Sequence, residues 1–255
     1  MRKIFKFFFL FLFVIFITGL MSVRGSEIEG LFQNANSAYD QGDYQKAIQL
    51  YQRIIQSGVK TSKVYYNLGN ACFRNENRGL AILYYLKALK LHPRDEDTNT
   101  NLSFVKLFTV DKIENEKNFF LSKVFSSIRS LATLDEWTFL TSGFYFLGMI
   151  FLILFVLTRK LKRLHLTLFS VFITLFLLTS IFLGSKIYSE TVVKRGVVVA
   201  SESEVRSGPG DDYTLQFKVH EGLEFKIKDK KNNWLVIYLP NGARGWLKSG
   251  DVGIV

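Results

Sequence analysis

Cysteine occurs once, at Cys72, and histidine and proline three times each in 255 residues. A single cysteine excludes an internal disulfide and any thiolate metal cage, since both need several sulfurs. His92, His165 and His220 fall in three separate segments, so no shared metal-ligand set is legible among them. Three prolines in a chain that is 48% hydrophobic exclude a collagen-like, proline-rich or disordered polymer. The net charge of +11 is not spread as a nucleic-acid surface requires. Residues 1–25 hold four cations (Arg2, Lys3, Lys6, Arg24) and no acid, and residues 137–189 hold five cations and no acid. The polar stretches are nearly neutral, with fourteen bases against thirteen acids over 26–136 and ten against nine over 190–255. The excess therefore flanks apolar runs, where cations hold helices against the cytoplasmic face of a membrane. A nucleic-acid partner is disfavoured.

Three apolar runs set the expected organisation. Phe7 to Ile17 is wholly apolar and follows a basic head, with Val23 and Gly25 ahead of Ser26. That pattern predicts a secretory signal over 1–25, cleaved before Ser26. Extension of the run through Met21 makes an uncleaved anchor the alternative, and in both cases the following segment is exported. With no cysteine near the cleavage point, a lipoprotein anchor is excluded. Phe139 to Leu157 is a second run without charge, and as a helix it reaches about 28 Å, the thickness of a bilayer's hydrocarbon. Trp137 precedes it as an interfacial aromatic, and Leu166 to Leu183 forms a third run. Membrane helices are expected over 138–158 and 164–185. The turn between them, 159–163, carries Arg159, Lys160, Lys162 and Arg163 and belongs on the cytoplasmic side. The export signal independently gives the same path, out at residue 26, in at 159 and out again at 186. The competing reading, a buried hairpin of a soluble protein, sets no side for that turn.

Between the first two runs the chain repeats itself. Ala47 and Ala81, Tyr51 and Tyr85, and Ile54 and Ala88 are each 34 positions apart, and Asn34-Ala35…Ala38 aligns with Leu68-Gly69…Cys72 at the same offset. With Pro93 closing the second copy, the pattern resembles the tetratricopeptide repeat, a helix–turn–helix unit with small residues where helices touch. Repeats are expected at about 28–61 and 62–95 within a domain spanning 26–110. Two repeats alone do not bury a continuous core, so a capping helix is expected over 98–108. The resemblance implies a concave groove for peptide segments, lined by Phe32, Asn36, Tyr39 and Asp40 and then Tyr66, Asn70, Phe73 and Arg74. Amide side chains both donate and accept, so Asn36 and Asn70 suit a peptide backbone; the alternative is an ordinary solvated face. Cys72 occupies a small apolar position, which favours a buried structural thiol over a redox sensor. Phe119, Phe120, Val124, Ile128 and Leu131 recur at spacings of three and four, so an amphipathic helix is expected within 111–136. It is either interfacial or a further solenoid helix.

Beyond residue 190 the periodicity shortens to alternating runs such as Trp234-Leu235-Val236-Ile237-Tyr238, punctuated by Gly208-Pro209-Gly210, Asn232-Asn233 and Pro240-Asn241-Gly242. Val205-Arg206-Ser207-Gly208-Pro209, Glu221-Gly222, Trp234-Leu235-Val236 and Gly245-Trp246 resemble, in order and spacing, a bacterial SH3 domain over 190–255. Trp234 and Trp246 are either a ligand platform or core filling, and Asp211, Asp212 and Tyr213 follow the turn as a possible binding border. Gly208 and Gly210 are not a phosphate loop, because Pro209 separates them and no Lys-Ser/Thr pair follows.

No catalytic triad or Cys/His pair has motif support. Asp95-Glu96-Asp97 opens the capping helix and suits its dipole. No cofactor is expected and the chain reads as a non-enzyme. The fold class is therefore multidomain, with an all-α tetratricopeptide solenoid, two transmembrane α-helices and a small all-β SH3-like barrel. In this order the segments resemble the BatE proteins of the aerotolerance (Bat) operon. That resemblance implies an inner-membrane envelope scaffold acting in stress tolerance beside von Willebrand factor A-domain membrane proteins and a MoxR-type ATPase. The alternative is a peptidoglycan receptor in which the repeats are a spacer.

Overall fold

A computed structural model of the chain describes residues 27–112 and 120–255. The signal expected over 1–25 lies outside the described residues, as does Phe119. The chain divides into two compact units. Within the described residues the first comprises 27–112, 196–224 and 247–255, and the second comprises 120–195 and 225–246.

The first unit begins with five helices, α1 (residues 27–40), α2 (Tyr44–Gln56), α3 (Ser62–Arg74), α4 (Arg78–Leu91) and α5 (Glu96–Lys106). Their starts follow from capping chemistry. Asp43, Thr61 and Asp95 each accept a hydrogen bond from the backbone N–H three residues on, at 3.1, 3.3 and 2.9 Å, which satisfies a donor that the helix cannot. That bond from Thr98 also holds the Asp95 carboxyl below the ordinary carboxylate range. Successive helices pack through small residues. Ala35, Ala47, Ala71, Ala81 and Ala88 are fully buried, with Tyr51, Ile54, Leu68 and Tyr85 filling the space between helices. At Gly69 a β-carbon would stand 2.7 Å from the Tyr85 ring, so only glycine admits that tyrosine.

The C-terminal region is all-β, with strands β1 (Lys194–Val198), β2 (Glu202–Arg206), β3 (Leu215–His220), β4 (Glu224–Lys231), β5 (Trp234–Tyr238), β6 (Arg244–Lys248) and β7 (Val252–Ile254). In the first unit β1 pairs antiparallel with β7, with Val197 opposite Gly253. There β2 also pairs with β3, with Ser203 opposite Val219. Val197, Val198, Val205, Val219 and Leu247 are buried. In the second unit β4 and β5 form an antiparallel hairpin. Its turn places Asn232 at φ +53°, a left-handed conformation that asparagine tolerates better than most residues.

The second unit also holds α6 (Phe120–Ser130), α7 (Leu134–Leu157) and α8 (Lys162–Thr191). α7 and α8 are both long and apolar enough to cross a membrane. They pack on each other through Gly148, which approaches Phe172, and through the stacked pair Phe151–Phe172 with centroids 5.5 Å apart. Leu161, at φ +61°, makes the bend between them. α6 joins α8 through an aromatic stack, with Phe125 and Trp137 lying 5.0 and 5.2 Å from Phe182. The Trp137 indole N–H donates to the Arg129 carbonyl at 3.2 Å, and Lys186 donates to the Ala132 carbonyl at 2.7 Å. α7 opens with a reciprocal cap, the Glu136 N–H donating to Thr133 Oγ1 and the Thr133 N–H to the Glu136 carboxylate. Thr133→Ala is expected to cost about 1 kcal/mol of local stability. Amide exchange at the start of α7 in detergent micelles measures it, faster in the variant if the cap contributes.

Candidate functional sites

The residues expected in the peptide groove lie on α1 and α3 of the first unit. Asn36 and Asn70, one repeat apart, have the same surroundings. Tyr51 donates its hydroxyl to Asn36 Oδ1 at 2.6 Å, and Tyr85 donates to Asn70 Oδ1 at 2.6 Å. The Asn67 amide then donates to Asn36 Oδ1 at 3.1 Å, and the Asn101 amide to Asn70 Oδ1 at 3.0 Å. Asn101 also reaches the Tyr66 hydroxyl at 3.2 Å. The result is a ladder, one rung per repeat, of buried tyrosine, groove asparagine and an asparagine two helices further on. Asn67 and Asn101 were not among the residues singled out in the sequence, although they are themselves 34 positions apart and so carried the signal. Since each groove oxygen already takes two hydrogen bonds, the side chain offers a ligand donors only. Among the described residues, Nδ2 of Asn36 and Asn70 has no partner within the chain. That chemistry suits carbonyl oxygens.

Aromatic rings surround the ladder. Phe32 meets Tyr51 edge-on at 6.0 Å beneath Lys63, and Tyr39 meets Tyr44 at 5.4 Å, with the Arg74 guanidinium 5.1 Å from the Tyr44 ring. Phe73 joins Phe104 and Phe108 of the α5 end, with centroids 5.7 and 6.0 Å away. Phe104 and Phe108 remain about half exposed, so this trio is an apolar surface beside the donors. Burial pushes the Tyr51 hydroxyl up to about 12 and raises Tyr85 as well, so both are donors at any physiological pH. Cys72 is fully buried, and burial pushes its thiol up to about 12, which leaves it protonated and unreactive.

In the β-region, Arg206 organises the turn after β2. Its guanidinium pairs with Glu204 and donates to the carbonyls of Asp211 and Tyr213 at 2.7 Å each. The Tyr213 ring lies against Gly208, where a β-carbon would collide with it, and a β-carbon at Gly210 would meet the Asp212 carboxylate. Lys248 meets the Asp211 carboxylate at 2.7 Å. Asp212 is exposed and Tyr213 is 44% exposed, so a rigid loop presents them to solvent. Trp234 and Trp246 belong to the second unit. Trp234 is buried, which favours core filling for that ring, and Trp246 is half-buried.

Among the described residues, no three His, Cys, Asp or Glu side chains are grouped to hold a metal ion. Asp95, Glu96 and Asp97 sit at the start of α5, where Asp95 caps the helix and the other two lie in its first turn.

This is a multidomain chain with a helical tetratricopeptide-like region, two long apolar helices and an antiparallel β-region. Residues 32–96 match the tetratricopeptide repeat family and residues 193–252 match the bacterial SH3 domain family. The chain is also 36% identical over 53 residues to YrvJ of Bacillus subtilis (strain 168), named as a candidate N-acetylmuramoyl-L-alanine amidase. The likeness covers 21% of this chain and 10% of that protein.

Proposed function

We propose that the protein is a non-enzymatic, membrane-anchored envelope scaffold of the BatE kind, acting in a Bat-type complex for aerotolerance and stress response. The observation that carries the anchor is exposure. Only 11% and 6% of the most apolar stretches of α7 and α8 are buried within the chain, whereas a helical hairpin in a soluble core would be covered. Phe139 and Val156, at 82% and 71% exposed, suit lipid contact. The packing of residues 27–112 with 196–224 in one unit supports the topology. Segments that pack together lie on one side of a bilayer, so an even number of crossings separates them. In this reading export by the signal leaves both folded regions outside, and two crossings then bring the Arg159–Arg163 turn to the cytosol, where its cations favour it.

In this reading the groove grips an extended partner segment through carbonyl-directed Asn36 and Asn70 and the aromatics around them. By resemblance the partners are von Willebrand factor A-domain membrane proteins working with a MoxR-type ATPase. The SH3-like region holds cell-wall peptide or another envelope protein at the Tyr213 loop. The relative named for N-acetylmuramoyl-L-alanine supports the wall ligand. It equally supports a second reading, a peptidoglycan receptor whose repeats are a spacer.

Asparagine-to-aspartate changes separate the two. Asn36→Asp plus Asn70→Asp keeps the oxygen that Tyr51 and Tyr85 need and removes the Nδ2 donors. After crosslinking in intact cells, the scaffold reading expects this variant to lose captured envelope proteins at least tenfold while still binding purified cell wall. Unchanged capture would sink the groove role. Unchanged capture in that variant, together with loss of wall binding in Tyr213→Ala, would favour the receptor.

A further inference from the structure

The α4 helix lacks the side-chain cap that α2, α3 and α5 have, since Asn77 makes no such bond. The missing acceptor comes from the β-region. Glu221 takes the Gly79 backbone N–H at 3.1 Å and pairs with Arg78 at 3.3 Å. Around that contact the two parts of the first unit interlock. Gly79 lies so close to β1 that a β-carbon there would stand 2.6 Å from the Val198 carbonyl oxygen. Gly222, at φ +87°, receives Thr109 and the Ile82 δ-methyl, and Gly253 is in contact with Leu83. Val197 is fully buried within the hydrophobic core of the repeats, and Val199 and Val255 pack against it. Polar pairs close the edge. The His220 backbone N–H donates to Asp111 at 2.6 Å, its ring Nδ1 lies 3.0 Å from the same carboxylate, Lys106 pairs with Glu224, and Lys90 donates to the Val255 carbonyl at 3.3 Å.

We infer that the part of the SH3-like region in the first unit, residues 196–224 and 247–255, is the built-in closing cap of the repeat stack, bound to a face of α4 beside α5. Two repeats leave an apolar end uncovered, and Ile82, Leu83, Val197 and Leu223 are all buried where the β-region lies. α4 is thereby shared. It carries Tyr85, which holds Asn70 in the groove, and it carries the contacts with β1, β7 and the β3–β4 turn. The groove and this part of the β-region act as one rigid body, so the repeats are not a flexible spacer. This inference goes beyond the scaffold reading and holds whether or not any partner binds.

Gly79→Ala tests it by sign. On an uncovered helix alanine is more favourable than glycine; in the docked structure its β-carbon meets the Val198 oxygen. Hydrogen exchange of the full chain in detergent micelles is expected to speed up at least tenfold in both 78–91 and 196–206. Gly30→Ala, where a β-carbon meets nothing within 4 Å, leaves those segments unchanged. A milder variant, Glu221→Gln, keeps the shape and removes the charge, and it is expected to speed exchange of the first turn of α4 several-fold. Unchanged or slower exchange in Gly79→Ala, with Glu221→Gln also silent, overturns the docked cap.

Discussion

Asn70→Ala is expected to destabilise the repeat region by about 2 kcal/mol, a far larger effect than its half-exposed position implies. The substitution leaves the hydroxyl of Tyr85, a side chain 1% exposed, without its acceptor at 2.6 Å. A buried donor left unpaired costs about 1–3 kcal/mol, whereas removing both partners costs less. Tyr85→Phe alone should therefore be milder, at about 1 kcal/mol. Adding Tyr85→Phe to Asn70→Ala should recover part of the loss, since the orphaned hydroxyl goes with it. Denaturant unfolding of the four proteins of this cycle measures the coupling. Additive losses would mean that the tyrosine–asparagine bond does not hold the repeat. The result also bears on function, because an alanine scan of the groove would report lost folding as lost binding. The aspartate variants avoid this by keeping the acceptor oxygen.

The second large effect is with pH. Cys72 and Tyr51 are both pushed up to about 12 by burial, and Tyr85 is raised for the same reason. Each group is neutral when protonated, so the folded state holds its proton more tightly than the unfolded chain does. The stability this provides is fully present below the unfolded values, near 8.5 for a thiol and 10 for a phenol, and is lost as pH rises toward the folded values. Within its window each group contributes a slope of at most about 1.4 kcal/mol per pH unit. The repeat helices are expected to lose stability from about pH 9 upward, and steeply between pH 10 and 12. Denaturant midpoints followed by the circular dichroism of the helices measure this. Cys72→Ala should flatten the curve across the thiol's window, most visibly between pH 9 and 10, below the phenol range. A flat profile through pH 11 would contradict the burial of these groups.

The α5 residues add a structural consequence. Phe104 and Phe108 extend the groove's aromatic surface past the second repeat, and Asn101 supplies the last rung of the ladder. The helix at the end of the stack is therefore part of the candidate binding surface as well as a cover for α3 and α4.

Features written in short-range periodicity were legible from sequence alone. The 34-residue offset placed Ala47 with Ala81 and Tyr51 with Tyr85. Uncharged runs marked α7 and α8, and turn residues separated the short strands. Each rests on interactions within a few tens of residues, where spacing dictates which side chains share a face. The same offset contained Asn67 and Asn101, but only the folded helices revealed that they take the oxygens of Asn36 and Asn70. What the tertiary structure alone decided are the contacts between distant segments. Arg78 meets Glu221 across 143 positions and His220 meets Asp111 across 109. No periodicity links such residues, because their proximity follows from the packing of whole elements and not from the local geometry of any one. For the same reason the Glu221 carboxylate that stands in for the absent side-chain cap of α4 was found only in the fold.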